Sequence, residues 1–391
     1  MLFAVGTSLI TPLIPIYQEQ LGVGDTGVTR FLGCYGVGLV PAMRIMGQVS
    51  DRMGRRVVLL GAIGTLAVAQ LALITEPPLW GLLGARVIQG VAAGAFFGTC
   101  TAFLVDAAPT GRRTFAAGLG SVSVRLGLGL GPGIGGVLAQ YAPEPLRLPF
   151  ELHLVALAMA ALLVIFLPET VRVRSRRPLT LRLEVPPAER AVFWRVLVPS
   201  GMLFSLFDGV ALSLIPVFLV RDLGVDNYAL VGAAGFLVLV SGALSQILLP
   251  RLRSATAIGC GLVWATMASV GVVVAAPGGA VGLALVAIAA TGAGAGLVFK
   301  GGIDLCTQIA PPADRGKLLS SYYVACYLGG FSVPLILVGA LGDILGLTSA
   351  LACLSGAAAV GSIWTIFAGL RTLDRLAEPT VPTTPAYDGR E

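Results

Sequence analysis

The 391-residue sequence predicts an all-α integral membrane protein with twelve transmembrane helices, arranged as two six-helix, pseudo-symmetric bundles. Three observations predict this. Apolar residues make up 56% of the chain and charged residues 12%, with a mean hydropathy of +0.90, which is too apolar for a soluble core to hide. Apolar runs of roughly 20 residues, each long enough to cross about 30 Å of hydrocarbon, recur along nearly the whole length. A shift of about 202 residues superposes Leu13-Ile-Pro15 on Leu214-Ile-Pro216 and Leu21-Gly-Val23 on Leu223-Gly-Val225. The same shift brings Ala108-Pro109 and Arg113 onto Ala310-Pro311 and Arg315, and Pro132 onto Pro334.

The spans fall at about 1–20, 27–48, 57–75, 79–107, 114–141 and 149–167 in the first half. In the second they fall at about 196–220, 228–249, 255–276, 279–309, 318–342 and 347–370. The first begins at Met1 without a basic leader region, and Pro12 and Pro15 do not resemble a cleavage site, so it reads as a retained helix. Arginines mark alternate loops. Arg52, Arg55 and Arg56 follow the second span, Arg112 and Arg113 the fourth, and Arg172, Arg174, Arg176 and Arg177 the sixth. Arg251 and Arg253 follow the eighth, and Arg315 and Lys317 the tenth, whereas the opposite loops hold chiefly Arg30, Arg147 and Arg221. By the positive-inside rule both termini are cytoplasmic. The net charge of +6 is then a topological signal, and dispersed arginines argue against nucleic-acid binding.

An even number of helices per repeat points both halves the same way across the membrane, the arrangement of a transporter with its site between them. The expected divisions are a first bundle at 1–167, a basic cytoplasmic linker at 168–195, a second bundle at 196–371 and a polar, disordered tail at 372–391. Cys34, Cys100, Cys260, Cys306, Cys326 and Cys353 are isolated in apolar segments, so neither a disulfide frame nor a metal site is expected. The single histidine, His153, reads as structural.

The run Gly127 to Gly136, GLGLGPGIGG, contains the G-x-G-x-x-G spacing of a dinucleotide-binding turn. That turn needs a preceding strand and a following acidic residue, and these glycines lie inside a membrane span with Pro132 in their midst. What remains is a helix with Gly127, Gly131 and Gly135 at every fourth position, suited to close packing, and bent where Pro132 removes a hydrogen bond.

Several of these motifs resemble the major facilitator superfamily, and within it the twelve-helix drug/proton antiporters. GQVSDRMGRR, Gly47 to Arg56, resembles the family's loop signature G-x-x-x-D-R-x-G-R-R and includes Gly54. RVIQGVAAG resembles the helix-four pattern with an embedded arginine, placing Arg86, Gln89, Gly90 and Gly94. GLGLGPGIGG, including Gly136, resembles the antiporter pattern of helix five, Pro168-Glu-Thr170 the usual close of helix six, and TPLIPIY the proline spacing of helix one in drug exporters.

The resemblance implies a latch. Gly47 would let the second helix approach the eleventh, Asp51 would accept hydrogen bonds at a helix N-terminus or pair with an arginine, and Arg52, Arg55 and Arg56 would lie among headgroups. Asp106, at the inner end of the fourth span beside Arg112 and Arg113, is the expected salt-bridge partner of the inner-loop arginines. The latch would close the cytoplasmic side in the outward-facing state. The second half has lost it, since PRLRSATAIG carries no acid.

Ionisable residues within spans are costly and are candidates for function. Arg86 would face the central cavity by resemblance, linked there to proton handling. Arg125 lies near the middle of the fifth span, Arg44 in the inner half of the second, and Asp208 roughly 20 Å into the seventh by helical rise. Lys300 and Asp304, four residues apart, are placed to pair with each other, and Lys300 is with Arg125 also a candidate for the substrate cavity. A carboxylate is the better proton carrier, because its proton affinity responds to its surroundings whereas arginine stays charged. Asp208 is therefore the candidate for coupling, the competing reading being that it neutralises an arginine across the cavity. The first span lacks the acid found in several multidrug exporters. Phe96 or Phe97, Phe204, Phe207, Tyr323 and Tyr327 are candidates for an apolar lining.

The expected function is proton-driven antiport of a small lipophilic compound or drug by alternating access. The alternative, suggested by Arg86 and Arg125, is import or exchange of a small organic anion. No enzyme activity and no cofactor is expected, the proton gradient being the energy source. Membrane lipids, protons and a small-molecule substrate are the expected partners of a monomer in a bacterial inner membrane.

Overall fold

Pro12 and Pro15 cut the first span into pieces, because each lacks the N–H that would bond four residues back, to Ser8 or Thr11. The computed structural model describes residues 1–171, 185–311 and 315–370, and in it α1 is a helix over Leu2–Ser8, a 3-10 turn over Thr11–Leu13 and a second helix over Ile14–Leu21. The span expected as one helix is therefore jointed, and the Thr11 carbonyl accepts from Ile14 N–H instead. Residues 172–184 of the expected linker, with Arg172, Arg174, Arg176 and Arg177, and the tail lie outside the described residues, as does the Arg113 side chain.

The first half continues with α2 (Asp25–Met53), α3 (Arg55–Ile74), α4 (Leu79–Ala107), α5 (Arg113–Tyr141) and α6 (Leu148–Phe166). In the second, α7 (Val198–Arg221) is preceded by a short helix over Arg190–Val192 and a π turn over Phe193–Leu197. Then come α8 (Tyr228–Leu248), α9 (Ser254–Ala275) and α10 (Val281–Ile309). α11 runs over Arg315–Val324, a π turn at Ala325–Gly330 and Val333–Leu345, its break lying where Pro334 cannot donate to Gly330. α12 is Leu347–Trp364, extended by a π turn over Thr365–Leu370. Ten of these, α3 to α12, are long and apolar enough to cross a membrane. No strand occurs among the described residues.

The repeat has a structural counterpart. Both Leu-Gly-Val segments end a proline-containing helix, and in both the glycine is left-handed, with φ 60° at Gly22 and 64° at Gly224. A side chain there would be strained, which explains why the same tripeptide recurs at the same place.

The bundles meet chiefly through two helix pairs, α2 with α11 and α5 with α8. Helix α5 presents two small-residue edges. On one, a Cβ added at Gly127, Gly131 or Gly135 would collide with the backbone of Met1, Val5 or Leu9 in α1. On the other, Gly136 meets Gly232 of α8, and Pro132 packs on Gly235. The every-fourth-residue spacing thus lets α5 lie backbone to backbone against α1, while intervening positions serve the other bundle. His153 holds the start of α1: its Nδ1 accepts from Gln70 Nε2 at 2.8 Å and its Nε2 donates to the Leu2 carbonyl at 3.1 Å. Its buried, fully partnered ring fits a structural role.

Candidate functional site: charged and aromatic groups between two gates

Three tiers of polar side chains succeed one another through the molecule, the first two beside the interface between the bundles and the third in a loop of the first bundle. The first is at the end where α1 meets α2 and α7 meets α8. Asp25, only 1% exposed at the start of α2, receives two hydrogen bonds of 3.0 Å from Arg221 at the end of α7. Gln18 Nε2 donates to the same carboxylate at 3.0 Å. Asp343 of α11 accepts from the backbone N–H groups of Asp25 and Thr26 at 2.5 and 3.0 Å, and from Thr26 Oγ1. An acid from the second bundle thereby caps a helix of the first, where the orphan N–H groups and the helix dipole favour negative charge. Gly339 and Gly342 of α11 leave room for Thr29 and Asp25. The Gln140 side chain completes the closure on the α5–α8 pair by accepting from Tyr228 N–H at 2.6 Å.

The middle tier holds the charged residues read from the sequence. Arg86 of α4 is 2% exposed, donates from Nη1 to the Thr7 carbonyl and to Gln89 Oε1 at 3.0 and 2.7 Å, and stacks 5.1 and 4.9 Å from the Phe31 and Tyr35 ring centres. No carboxylate pairs with it among the described residues, and Arg86 Nε and Gln89 Nε2 are buried without partners. Arg125 of α5 reaches into the other bundle, 4.8 Å from the Phe299 ring and 5.8 Å from Phe204, with Nη1 beside Gly242. Asp208 of α7 is half-buried and within electrostatic range of Arg125, yet makes no ion pair or hydrogen bond among the described residues. Phe204 stacks on Phe299 at 4.6 Å, and Tyr323 approaches Phe299 at 6.0 Å. Tyr327, half-buried one turn on, contacts Phe331.

Other expected residues lie apart from this group. Lys300 bonds Asp304 at 2.6 Å, as their spacing suggests. Phe207 turns into the second bundle, where with Val210, Ile288, Thr291 and Leu351 it lines a cavity. Phe96 and Phe97 pack on Phe3 of α1.

The third tier is the loop signature between α2 and α3. Asp51 pairs with Arg55 at 2.6 Å, and Arg55 also bonds Asp106 at 3.2 Å and Ser50 Oγ at 2.6 Å. Asp51 therefore takes the arginine-pairing role of its two expected ones. The helix N-terminus is served by Glu169, whose carboxylate accepts from the N–H groups of Arg55 and Arg56 at 2.9 and 3.1 Å and from Thr170 and Val171. Burial opposes its charge, but these four N–H donors outweigh it and hold the carboxyl below its ordinary value. Gly54, at φ 113°, makes the turn beside it. Arg52 and Arg56 are half-buried and Arg112 exposed. Gly47, expected to meet α11, has nothing within 4 Å of the place a Cβ would occupy, although Arg44 three residues earlier donates to Ser320 of α11 at 2.9 Å. The bundles are thus joined closely at the Asp25 end, while at the other end Arg44 reaches Ser320 and Gly47 faces open space.

Asp25, Arg221, Asp343, Glu169 and Phe299 carry no signal in the sequence motifs: Arg221 reads there only as a loop charge, and Glu169 only as part of a helix-closing tripeptide. The repeat carried a usable signal: Asp25 lies two residues after the first Leu-Gly-Val and Arg221 two before the second, so a pseudo-twofold axis brings them to the same end.

Twelve helices in two bundles, with buried charges at their interface, define a multi-pass membrane protein of the secondary-transporter class. Residues 1–334 match the Major Facilitator Superfamily model, and the chain belongs to that family. It is 26% identical over 254 residues to Multidrug resistance protein 1 of Bacillus subtilis (strain 168), a match covering 63% of this chain and 62% of that protein. It is 29% identical over 182 residues to the class C tetracycline resistance protein of Escherichia coli, covering 46% and 45%. The chain thus spans less than two thirds of the relatives it matches. In fold it is similar to a bacterial homologue of the human lysosomal transporter Spinster in its inward-facing, unoccupied conformation, with a TM-score of 0.75, 16% identity and 95% coverage of each chain. It is also similar to the human organic anion transporter MFSD10, with a TM-score of 0.65, 20% identity and coverage of 93% and 96%.

Proposed function

We propose that the chain exports a small lipophilic compound in exchange for protons, by rocking of the two bundles around the middle tier. The observation that carries this reading is Asp208: a half-buried carboxylate of α7 within electrostatic range of Arg125, without an ion-pair or hydrogen-bond partner among the described residues. An acid locked in an ion pair would be held charged, whereas one without such a partner is available to take and give up a proton as its surroundings change. The Phe204, Phe299 and Tyr323 rings supply an apolar and polarisable wall beside it, suited to flat lipophilic cargo.

The gates fit the same cycle. With the loop signature on the cytoplasmic side, both termini inside and the bundles divided at the 168–195 linker, the closed Asp25 tier faces outward and this conformation is inward-facing. Asp51, Arg55 and Asp106 are already paired with one another within the first bundle, so they hold the loop in shape for the moment when Gly47 of α2 closes on α11. A monomer in the bacterial inner membrane suffices for this mechanism.

A second reading, exchange of a small organic anion, is favoured by Arg86, which is buried without an acid and retains unpartnered donors around it. Proteoliposomes with an imposed pH gradient separate the two. Export of fluorescent lipophilic dyes against the gradient supports the first reading, and accumulation of carboxylates without dye movement replaces it with the second.

A further inference from the structure

On its outer surface the second bundle carries a groove of about 1010 Å³, formed chiefly by one face of α9 and closed by Ala290 of α10 and Ile366 of α12. Its floor is made of small side chains, Ala255, Thr256, Gly259 and Cys260, and its far end of Val263, Trp264 and Met267. Elsewhere the exposed face is built of bulky groups such as Leu162, Leu163 and Phe166 on α6. From Arg253 to Met267 the groove follows α9 for roughly 21 Å of helical rise. That is at least the depth of one leaflet, about 15 Å of hydrocarbon.

Arg253 supplies the only charge among the lining residues. It stands at the mouth, immediately before α9, is exposed, and makes no ion pair among the described residues. An apolar trough as deep as a leaflet, headed by an unpaired guanidinium at headgroup level, matches an amphiphile with an anionic head and a hydrocarbon tail. We propose that this groove binds one anionic phospholipid of the arginine-rich leaflet, its phosphate on Arg253 and one acyl chain along Thr256, Cys260 and Trp264. The site is separate from the middle tier, and the lipid is a resident of the second bundle whichever cargo the transporter carries.

Trp264 is a built-in reporter. A variant keeping Trp264 alone (Trp80→Phe, Trp194→Phe, Trp364→Phe) is reconstituted in vesicles containing brominated phosphatidylglycerol or brominated phosphatidylcholine, and quenching is compared at equal mole fraction. The proposal predicts a binding preference for the anionic lipid of about fivefold, the order expected for one arginine at the surface. Arg253→Gln should abolish the preference. Gly259→Leu, which fills the floor, should lower quenching by both lipids while leaving Arg253 in place. Equal quenching by the two lipids in the parent, or a preference that survives both substitutions, overturns it.

Discussion

Asp25 and Arg221, 196 residues apart, close one end of the interface between the two bundles through two hydrogen bonds of 3.0 Å. The acid is 1% exposed and the arginine side chain 47%, so the pair is neither a free surface bridge nor a fully dry one. Its worth lies mainly in what breaking it leaves behind, a buried group without its partner, which costs about 1–3 kcal/mol.

Asp25→Asn should therefore loosen the closed end and shift the population toward the opposite conformation by roughly 5- to 150-fold. Amide exchange at the start of α2 reads this directly, because Asp25 and Thr26 N–H are held by Asp343 across the interface. Exchange should accelerate there and slow around Gly47 as the other end closes. Unchanged exchange at both ends would separate the pair from the conformational equilibrium.

Two glycines of α5 make predictions of opposite sign. A methyl at Gly131 would fall on Ser8 and the Val5 carbonyl, whereas one at Gly118 would meet nothing within 4 Å. Gly131→Ala should lower the thermal midpoint, with overpacking costing about 1–3 kcal/mol. Gly118→Ala should leave it unchanged or raise it, since alanine is the better helix former by about 1 kcal/mol.

Glu169 gives a pH dependence outside the membrane. Its carboxyl lies below its ordinary value of 4.5 because four backbone N–H groups stabilise the charged form. A lowered value means that the contribution is fully present above pH 4.5 and disappears as the pH falls through the lowered value. Measured as protection relative to the intrinsic exchange rate at each pH, the Arg55 and Arg56 N–H groups should lose protection in acid in the wild type. Glu169→Gln should show low protection already at neutral pH and little further change in acid.

Arg125 is held by ring faces and by no carboxylate at bonding distance among the described residues, so its planarity is the testable feature. Arg125→Lys keeps the charge and loses the flat stack, which is worth about 0.5–2 kcal/mol. A 2- to 30-fold rise in the KM for lipophilic substrates is expected, while a variant with wild-type KM would remove the stacked arrangement from substrate binding.

The helices were legible because crossing a membrane demands long apolar runs, and the loop arginines and the repeat supplied their order. The joint in α1 was visible only as Pro12 and Pro15, whose missing N–H groups decide the local backbone. Lys300 and Asp304 were legible because their partner lies one helical turn away. Asp25 and Arg221 were not, since nothing local in either sequence specifies a contact across 196 residues. Glu169 was hidden for the same reason: its role depends on α6 ending beside the start of α3, a matter of tertiary packing.

The central claim is that Asp208 carries the coupled proton. The direct measurement is proton release on substrate addition, followed with a pH indicator in weakly buffered detergent, for the wild type and Asp208→Asn across lipophilic drugs and organic anions. Release by a lipophilic compound in the wild type, abolished by the substitution while binding persists, is the predicted result. Release of equal size in Asp208→Asn would contradict it and place the proton elsewhere.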